Sequence, residues 1–147
     1  ANHAREFSPA AVRAIARLVD GGIPLVSQSV LLKGVNDSVP ALADLMQAFS
    51  ENRIKPYYLH HPDLAPGTSH LRVGIAEGLA LMKALRARVS GLEMPAYMLD
   101  IPGGFGKVPL ESDHLRKDAD GWQVRDRAGT WHAYRDPLAA GRAFSEG

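Results

Sequence analysis

The chain has 147 residues, 46% hydrophobic and 22% charged, which is enough apolar material for one globular core. A formal net charge of +1 gives no electrostatic case for a nucleic acid or a membrane surface as partner. Cysteine is absent, which excludes disulfides and thiolate metal ligands within the chain. No apolar run approaches the roughly 18–20 residues that span a bilayer, no stretch reads as a signal peptide, and the expected setting is cytoplasmic.

The first predicted element is a helix that starts at Ser8-Pro9, a hydroxyl cap followed by proline at the first helical position. Val12, Ile15, Leu18 and Val19 recur at helical spacing, and Gly21-Gly22 stop the run. Ile23 to Leu32 reads as a strand, with Pro24 suited to its start. Residues 34–38 form a loop able to cap a second helix, whose buried face carries Leu42, Leu45, Met46 and Phe49. Ile54 to Leu59 is the second strand, and 62–72 is a loop punctuated by proline and glycine. Ile75, Leu79, Met82 and Leu85 mark a third helix before Gly91, and Ala96 to Ile101 is the third strand. This alternation predicts an α/β fold with parallel strands and right-handed crossovers.

After Leu110 the character changes. Trp122 and Val124, then Trp131 and Ala133, alternate around Arg127-Ala128-Gly129, which predicts an antiparallel hairpin over 121–136. Residues 137–147 are small and polar and are expected to be loose. The expected division is therefore 1–110 and 111–147. An open three-stranded sheet leaves an edge for further strands, and pairing with a second copy in a homo-oligomer is one way to cover it.

Residues 97–110 hold the densest chemistry. An apolar run, Tyr97 to Leu99, delivers Asp100; the turn Pro102-Gly103-Gly104-Phe105-Gly106 follows, and then Lys107. In α/β proteins ligands sit at the carboxyl ends of such strands. Glycines there let backbone approach a ligand or take positive φ, and a loop lysine can pair with phosphate or attack a carbonyl. The plain alternative is a tight turn with a solvated lysine.

Two more blocks bear on the choice. Residues 22–37 include Ser27-Gln28-Ser29-Val30-Leu31-Leu32, and residues 55–72 include His60-His61-Pro62-Asp63. With the loop from Asp100 to Lys107 they resemble, in order and spacing, the C-terminal half of the lysine 2,3-aminomutase family. Those enzymes are radical S-adenosylmethionine enzymes that carry a [4Fe-4S] cluster and also use pyridoxal phosphate. The resemblance runs from about Asn2 to Leu110 and fades beyond it. It implies the C-terminal part of a partial (βα) barrel with parallel strands, followed by a small β-hairpin.

The resemblance also implies roles. Lys107 matches the catalytic lysine that holds pyridoxal phosphate, within a loop whose Gly103, Gly104 and Gly106 lie against that cofactor. Asp63 and Asp100 match the pair that binds the substrate's side-chain ammonium; each alone also reads as a turn aspartate. Two carboxylates favour lysine over glutamate as the substrate. Gln28 and His60 match cofactor-side positions, although His60 stands where the family more usually has tyrosine and Ser27 replaces an asparagine. Asn2 and His3 match an Asn-His that ends the preceding strand, so the chain reads as a fragment that starts at a strand end; here, at the terminus, that pair is a candidate for disorder.

Three family features are missing: the CxxxCxxC cluster motif, the upstream arginine for the substrate carboxylate, and the cysteines of a structural zinc site. No metal site is therefore expected. His60 and His61, adjacent on a strand, point to opposite faces and do not converge on one ion, and His70 stands apart from both. The expected function is part of an isomerase making β-lysine from L-lysine by a radical 1,2-amino shift, inactive as this piece alone. The alternatives are a non-catalytic module for a phosphorylated small molecule, and the related aminomutase that serves translation elongation factor modification.

Overall fold

The computed structural model of the chain describes residues 1–119 and 121–138, so most of the tail expected to be loose lies outside the described residues. Ser8 accepts a hydrogen bond from the Ala11 amide and Pro9 opens α1 (Pro9–Asp20), as the sequence predicts. The apolar stripe of α1 is only partly covered: Val12, Ile15 and Val19 are half-buried, and Leu18 is exposed. The terminus before it is tied down. The Asn2 side-chain carbonyl accepts from the Val30 amide at 2.8 Å, and its backbone carbonyl accepts from the Asn36 amide group at 2.8 Å. Asn2 is therefore held against a strand end rather than disordered, because buried Asn36 has donors to satisfy.

β1 (Leu25–Val30), α2 (Val39–Glu51), β2 (Ile54–His60), α3 (Ile75–Arg86) and β3 (Ala96–Asp100) alternate, and the three strands pair in parallel. Ser38 caps α2 through the Ala41 amide. Leu42, Leu45, Met46 and Phe49 are buried, as their spacing predicts, and so are Ile75, Met82 and Leu85 of α3. One strand was not foreseen: β4 (Lys107–Pro109) pairs antiparallel with β3, giving a mixed sheet of order β1-β2-β3-β4. The connection over 101–106 is too short for a parallel crossover, which takes a dozen or more residues. Lys107 therefore opens a strand rather than ending a loop.

A second sheet, antiparallel, joins β5 (Leu115–Asp118), β6 (Gly121–Arg125) and β7 (Trp131–Tyr134). The β6–β7 hairpin matches the alternating pattern; β5 escapes it because Leu-Arg-Lys-Asp has no apolar alternation and is largely exposed. Val124 and Tyr134 are buried in one core with the first sheet. The Asp136 carboxylate reaches back to accept from the Ile75 amide at 2.7 Å, capping α3 where Gly74 offers no side chain.

In the β1–β2 ladder Ser27 faces Pro56 but Gln28 faces Tyr58, so Tyr57 is an extra residue, a β-bulge. It resets the alternation of β2. Leu59 turns with Ser29 toward the helices, while Tyr58 and His60 share the other face with Gln28. His61, just past the strand, is buried and hydrogen-bonded through Nδ1 to the Tyr97 hydroxyl at 2.8 Å. The two histidines do face apart.

Burial pushes the His61 imidazole down to about 4. The unfolded chain protonates near 6.5 while the folded ring resists, so the unfolded state binds more protons between those values. Stability should be flat above about pH 6.5 and fall by up to about 3 kcal/mol as pH drops toward 4. Thermal unfolding against pH checks this; a His61→Gln variant should show a shallower acid slope, and an identical slope would assign the loss to other groups.

Candidate functional site

The bulge, the strand ends and the β3–β4 turn together build one line of polar side chains. His60 Nε2 lies 3.1 Å from the Gln28 side-chain carbonyl. Its Nδ1 lies 3.5 Å from Asp100 Oδ2, a long contact. Lys107 Nζ donates to both oxygens of Asp100 at 2.9 Å. Asp100 and Lys107 are cross-strand partners in the β3–β4 ladder, which explains the pairing. Burial, and after it the Lys107 charge, hold the His60 imidazole below its ordinary value against the opposing pull of Asp100 and Asp63. The ring is therefore neutral at neutral pH, with one nitrogen to donate and one to accept.

The turn between β3 and β4 depends on its glycines. Gly103, Gly104 and Gly106 have φ of +94, +82 and +90°, values that strain any other residue. The Ile101 amide donates to the Gly106 carbonyl at 2.9 Å and closes the turn. Phe105 stacks on His132 of β7, with ring centroids 4.1 Å apart. His132 Nε2 is in turn 2.8 Å from Asp126 Oδ2, and that hydrogen bond lowers the Asp126 carboxyl. The second sheet thus clamps the glycine turn. This support was missed in the sequence, since it joins residues on opposite sides of Leu110.

Beside the line lies a cleft of about 510 Å³ whose walls include Asp63, Ala65, Asp100, Gly104, Gly106 and Tyr134. Asp63 is exposed and makes no hydrogen bond or ion pair among the described residues. The structure therefore gathers Gln28, His60, Asp100 and Lys107 into one line, and Asp63 and Asp100 onto one cleft. Gly103 sits apart from the cleft under the Phe105 ring, where a Cβ would come within 2.8 Å of it. His70 is exposed in a short 3-10 turn, Ser69–Leu71, and is not among the residues that line the cleft. Among the described residues no three His, Asp or Glu side chains are placed to hold a metal ion, and no helix is long and apolar enough to cross a membrane.

The same blocks of sequence recur in known proteins. No protein-family model matches the chain. It is 40% identical over 114 residues to an L-lysine 2,3-aminomutase of Fusobacterium nucleatum, covering 78% of this chain and 27% of that protein. It is 35% identical over 138 residues to an L-lysine 2,3-aminomutase of Clostridium subterminale, covering 93% of this chain and 33% of that protein. The chain belongs to the lysine 2,3-aminomutase family. A glutamate 2,3-aminomutase of Clostridioides difficile is also similar, at 35% identity over 78% of this chain. The chain spans between 27% and 36% of the length of the aminomutases it matches. The match to the Clostridium subterminale aminomutase takes in nearly the whole chain, so it extends past Leu110 into the second sheet.

Proposed function

We propose that the whole protein is a lysine 2,3-aminomutase, an isomerase that moves the α-amino group of L-lysine to the β-carbon, and that this chain forms the ammonium and pyridoxal phosphate end of its active site. The observation that carries the reading is Asp63 and Asp100 on one cleft, with an alkylammonium, that of Lys107, already seated on Asp100. Val26 and Tyr57, exposed on the face of the sheet away from α2 and α3, are surfaces that further strands of a partial barrel would cover.

The residues present fit pyridoxal phosphate. Lys107 offers an amine, Gln28 an amide and His60 a neutral imidazole, and a side chain at Gly104 or Gly106 would meet nothing within 4 Å, so the turn leaves open space. When bound, pyridoxal phosphate supplies a conjugated ring that stabilises an unpaired electron beside the migrating nitrogen. The residues present do not fit an iron–sulfur cluster, since the chain has no cysteine; in this reading the cluster and the S-adenosylmethionine cleaved there are held by the rest of the protein.

What the chain's own groups do follows from their positions. Asp100 stores the Lys107 ammonium and, once Lys107 engages the cofactor, is left with an uncompensated charge facing the cleft. Asp63 faces the same space. A lysine side chain entering there restores the charge balance; a glutamate side chain would add a third negative charge, which argues against the glutamate reaction. His60, between Gln28 and Asp100, orients that carboxylate.

The test is specificity in the intact protein. Asp63→Asn and Asp100→Asn each remove a charge at nearly constant shape. A charged hydrogen bond contributes about 1.5–3 kcal/mol, so kcat/KM for lysine should fall roughly ten- to a hundredfold. Norleucine, which lacks the ammonium, should be little affected. An unchanged lysine-to-norleucine ratio in both variants would mean the carboxylates serve only the loops.

A further inference from the structure

The segment that carries Asp63 is held at a single point. Asp63 to Gly67 are all exposed. The two ends are fixed: the His61 amide donates to the Met98 carbonyl at 2.7 Å, and the Lys33 amide donates to the Leu71 carbonyl at 2.9 Å. Between them, Pro62 and Pro66 have no amide to give. Over residues 62–67 the Ala65 carbonyl is the only backbone group with a hydrogen-bond partner among the described residues. Its two strongest donors are the Thr68 hydroxyl and Arg72 Nη2, each at 2.8 Å. The Thr68 bond is local and moves with the loop. The Arg72 bond reaches back seven residues from beside Leu71, the fixed end. Arg72 is half-buried and has no carboxylate at ion-pair distance among the described residues. Its Nε, like the Tyr134 hydroxyl, is buried without a hydrogen-bond partner. The bond to Ala65 is therefore what the structure gives this guanidinium to do.

We propose that Arg72 is a positioning residue of the cleft: through the Ala65 carbonyl its guanidinium fixes the wall on which Asp63 meets the substrate's ammonium. Asp63 and Ala65 are two residues apart and both line the cleft. A loop already in place spares the entropy of ordering it when the substrate arrives. The inference rests on the ammonium reading of Asp63 and deepens it. Its sign separates position from charge. Burial, Asp136 and Asp63 push the Tyr134 phenol up to about 12 while Arg72 pulls against them, so the guanidinium and Asp63 act on one neighbourhood. By charge alone a cation there repels an ammonium, and its removal would favour lysine. By position its removal disfavours lysine.

The experiment is a double-mutant cycle in the intact protein between Arg72→Met, which keeps the stem and removes the guanidinium, and Asp63→Asn. The quantity read is the lysine-to-norleucine ratio of kcat/KM. Arg72→Met alone should lower it roughly three- to tenfold, mainly through KM for lysine, with norleucine within about twofold of wild type. In the Asp63→Asn background the same change should leave the ratio within about twofold, because the group being positioned is gone. Arg72→Lys, which keeps a donor for Ala65, should recover most of the loss. Should Arg72→Met not fold, Thr68→Val removes the other side-chain bond to Ala65 and runs the same cycle, with a fall in the same sense. An unchanged or raised ratio, equal losses for both amino acids, or an undiminished effect in the Asp63→Asn background would each overturn the inference. If Asp63→Asn lowers the ratio and Arg72→Met does not, only the role of Arg72 is lost. If Asp63→Asn itself leaves the ratio unchanged, the ammonium reading of Asp63 falls and this inference with it.

Discussion

Lys107→Ala in the intact protein is expected to lower kcat/KM roughly a thousandfold or more, because in the function proposed above its amine engages the cofactor and water cannot replace it. The visible absorption of lysine-bound pyridoxal phosphate should vanish with it. Folding should barely notice. The side chains of Lys107 and Asp100 are each 38% exposed, and ion pairs so open to water contribute about 0–1 kcal/mol. Lys107→Arg separates the two roles. Arginine can keep the ion pair with Asp100, but it does not deprotonate in proteins and offers no free amine. It should therefore be as inactive as alanine while matching wild-type stability. Retention of the absorption band in either variant would place the cofactor on another lysine.

Gly78→Ala should produce the largest loss of stability. Gly78 lies within α3, directly over the Tyr97 ring, and an added Cβ would stand 2.0 Å from the hydroxyl and 2.7 Å from the ring carbon that bears it. Two effects oppose each other. Helix propensity favours alanine by about 1 kcal/mol. Overpacking costs about 1–3 kcal/mol and more where the neighbour cannot move. Tyr97 is fully buried and held by His61, so the steric term wins, and a net destabilisation of about 2 kcal/mol or more is expected. Denaturant unfolding of the single variant and of Gly78→Ala with Tyr97→Phe measures it. The double variant should recover part of the loss, since the hydroxyl goes but the ring carbon remains. An increase in stability for Gly78→Ala alone would show that Tyr97 yields.

How far the sequence reveals this molecule varies by element. α2 and α3 are legible because each buries one stripe, and a stripe leaves a period. The parallel strands follow from their long connections. β4 is three residues, Lys-Val-Pro, too short for any period to show. The bulge at Tyr57 has no signature in Pro-Tyr-Tyr-Leu, since a register shift exists only between two strands; yet it decides that His60 meets Gln28. Asp63 and Asp100 are separated along the chain, and only their places at strand ends, with the family resemblance, suggested that they share a space. The Phe105–His132 stack and the orphaned Tyr134 hydroxyl are products of packing alone. They lie where composition says no more than hairpin.

The cap that Asp136 places on α3 has a consequence for how the chain is made. Its acceptor lies 61 residues downstream of the Ile75 amide it serves. Synthesis proceeds at about 5–20 residues per second, so several seconds separate the emergence of α3 from that of its cap. During that interval the first turn of the helix has only water for a partner, and its glycine N-cap does nothing to fix where the helix begins. Arrival of the hairpin supplies the carboxylate and closes the core in one event. The second sheet thus acts as a latch on the α/β unit that precedes it in the chain.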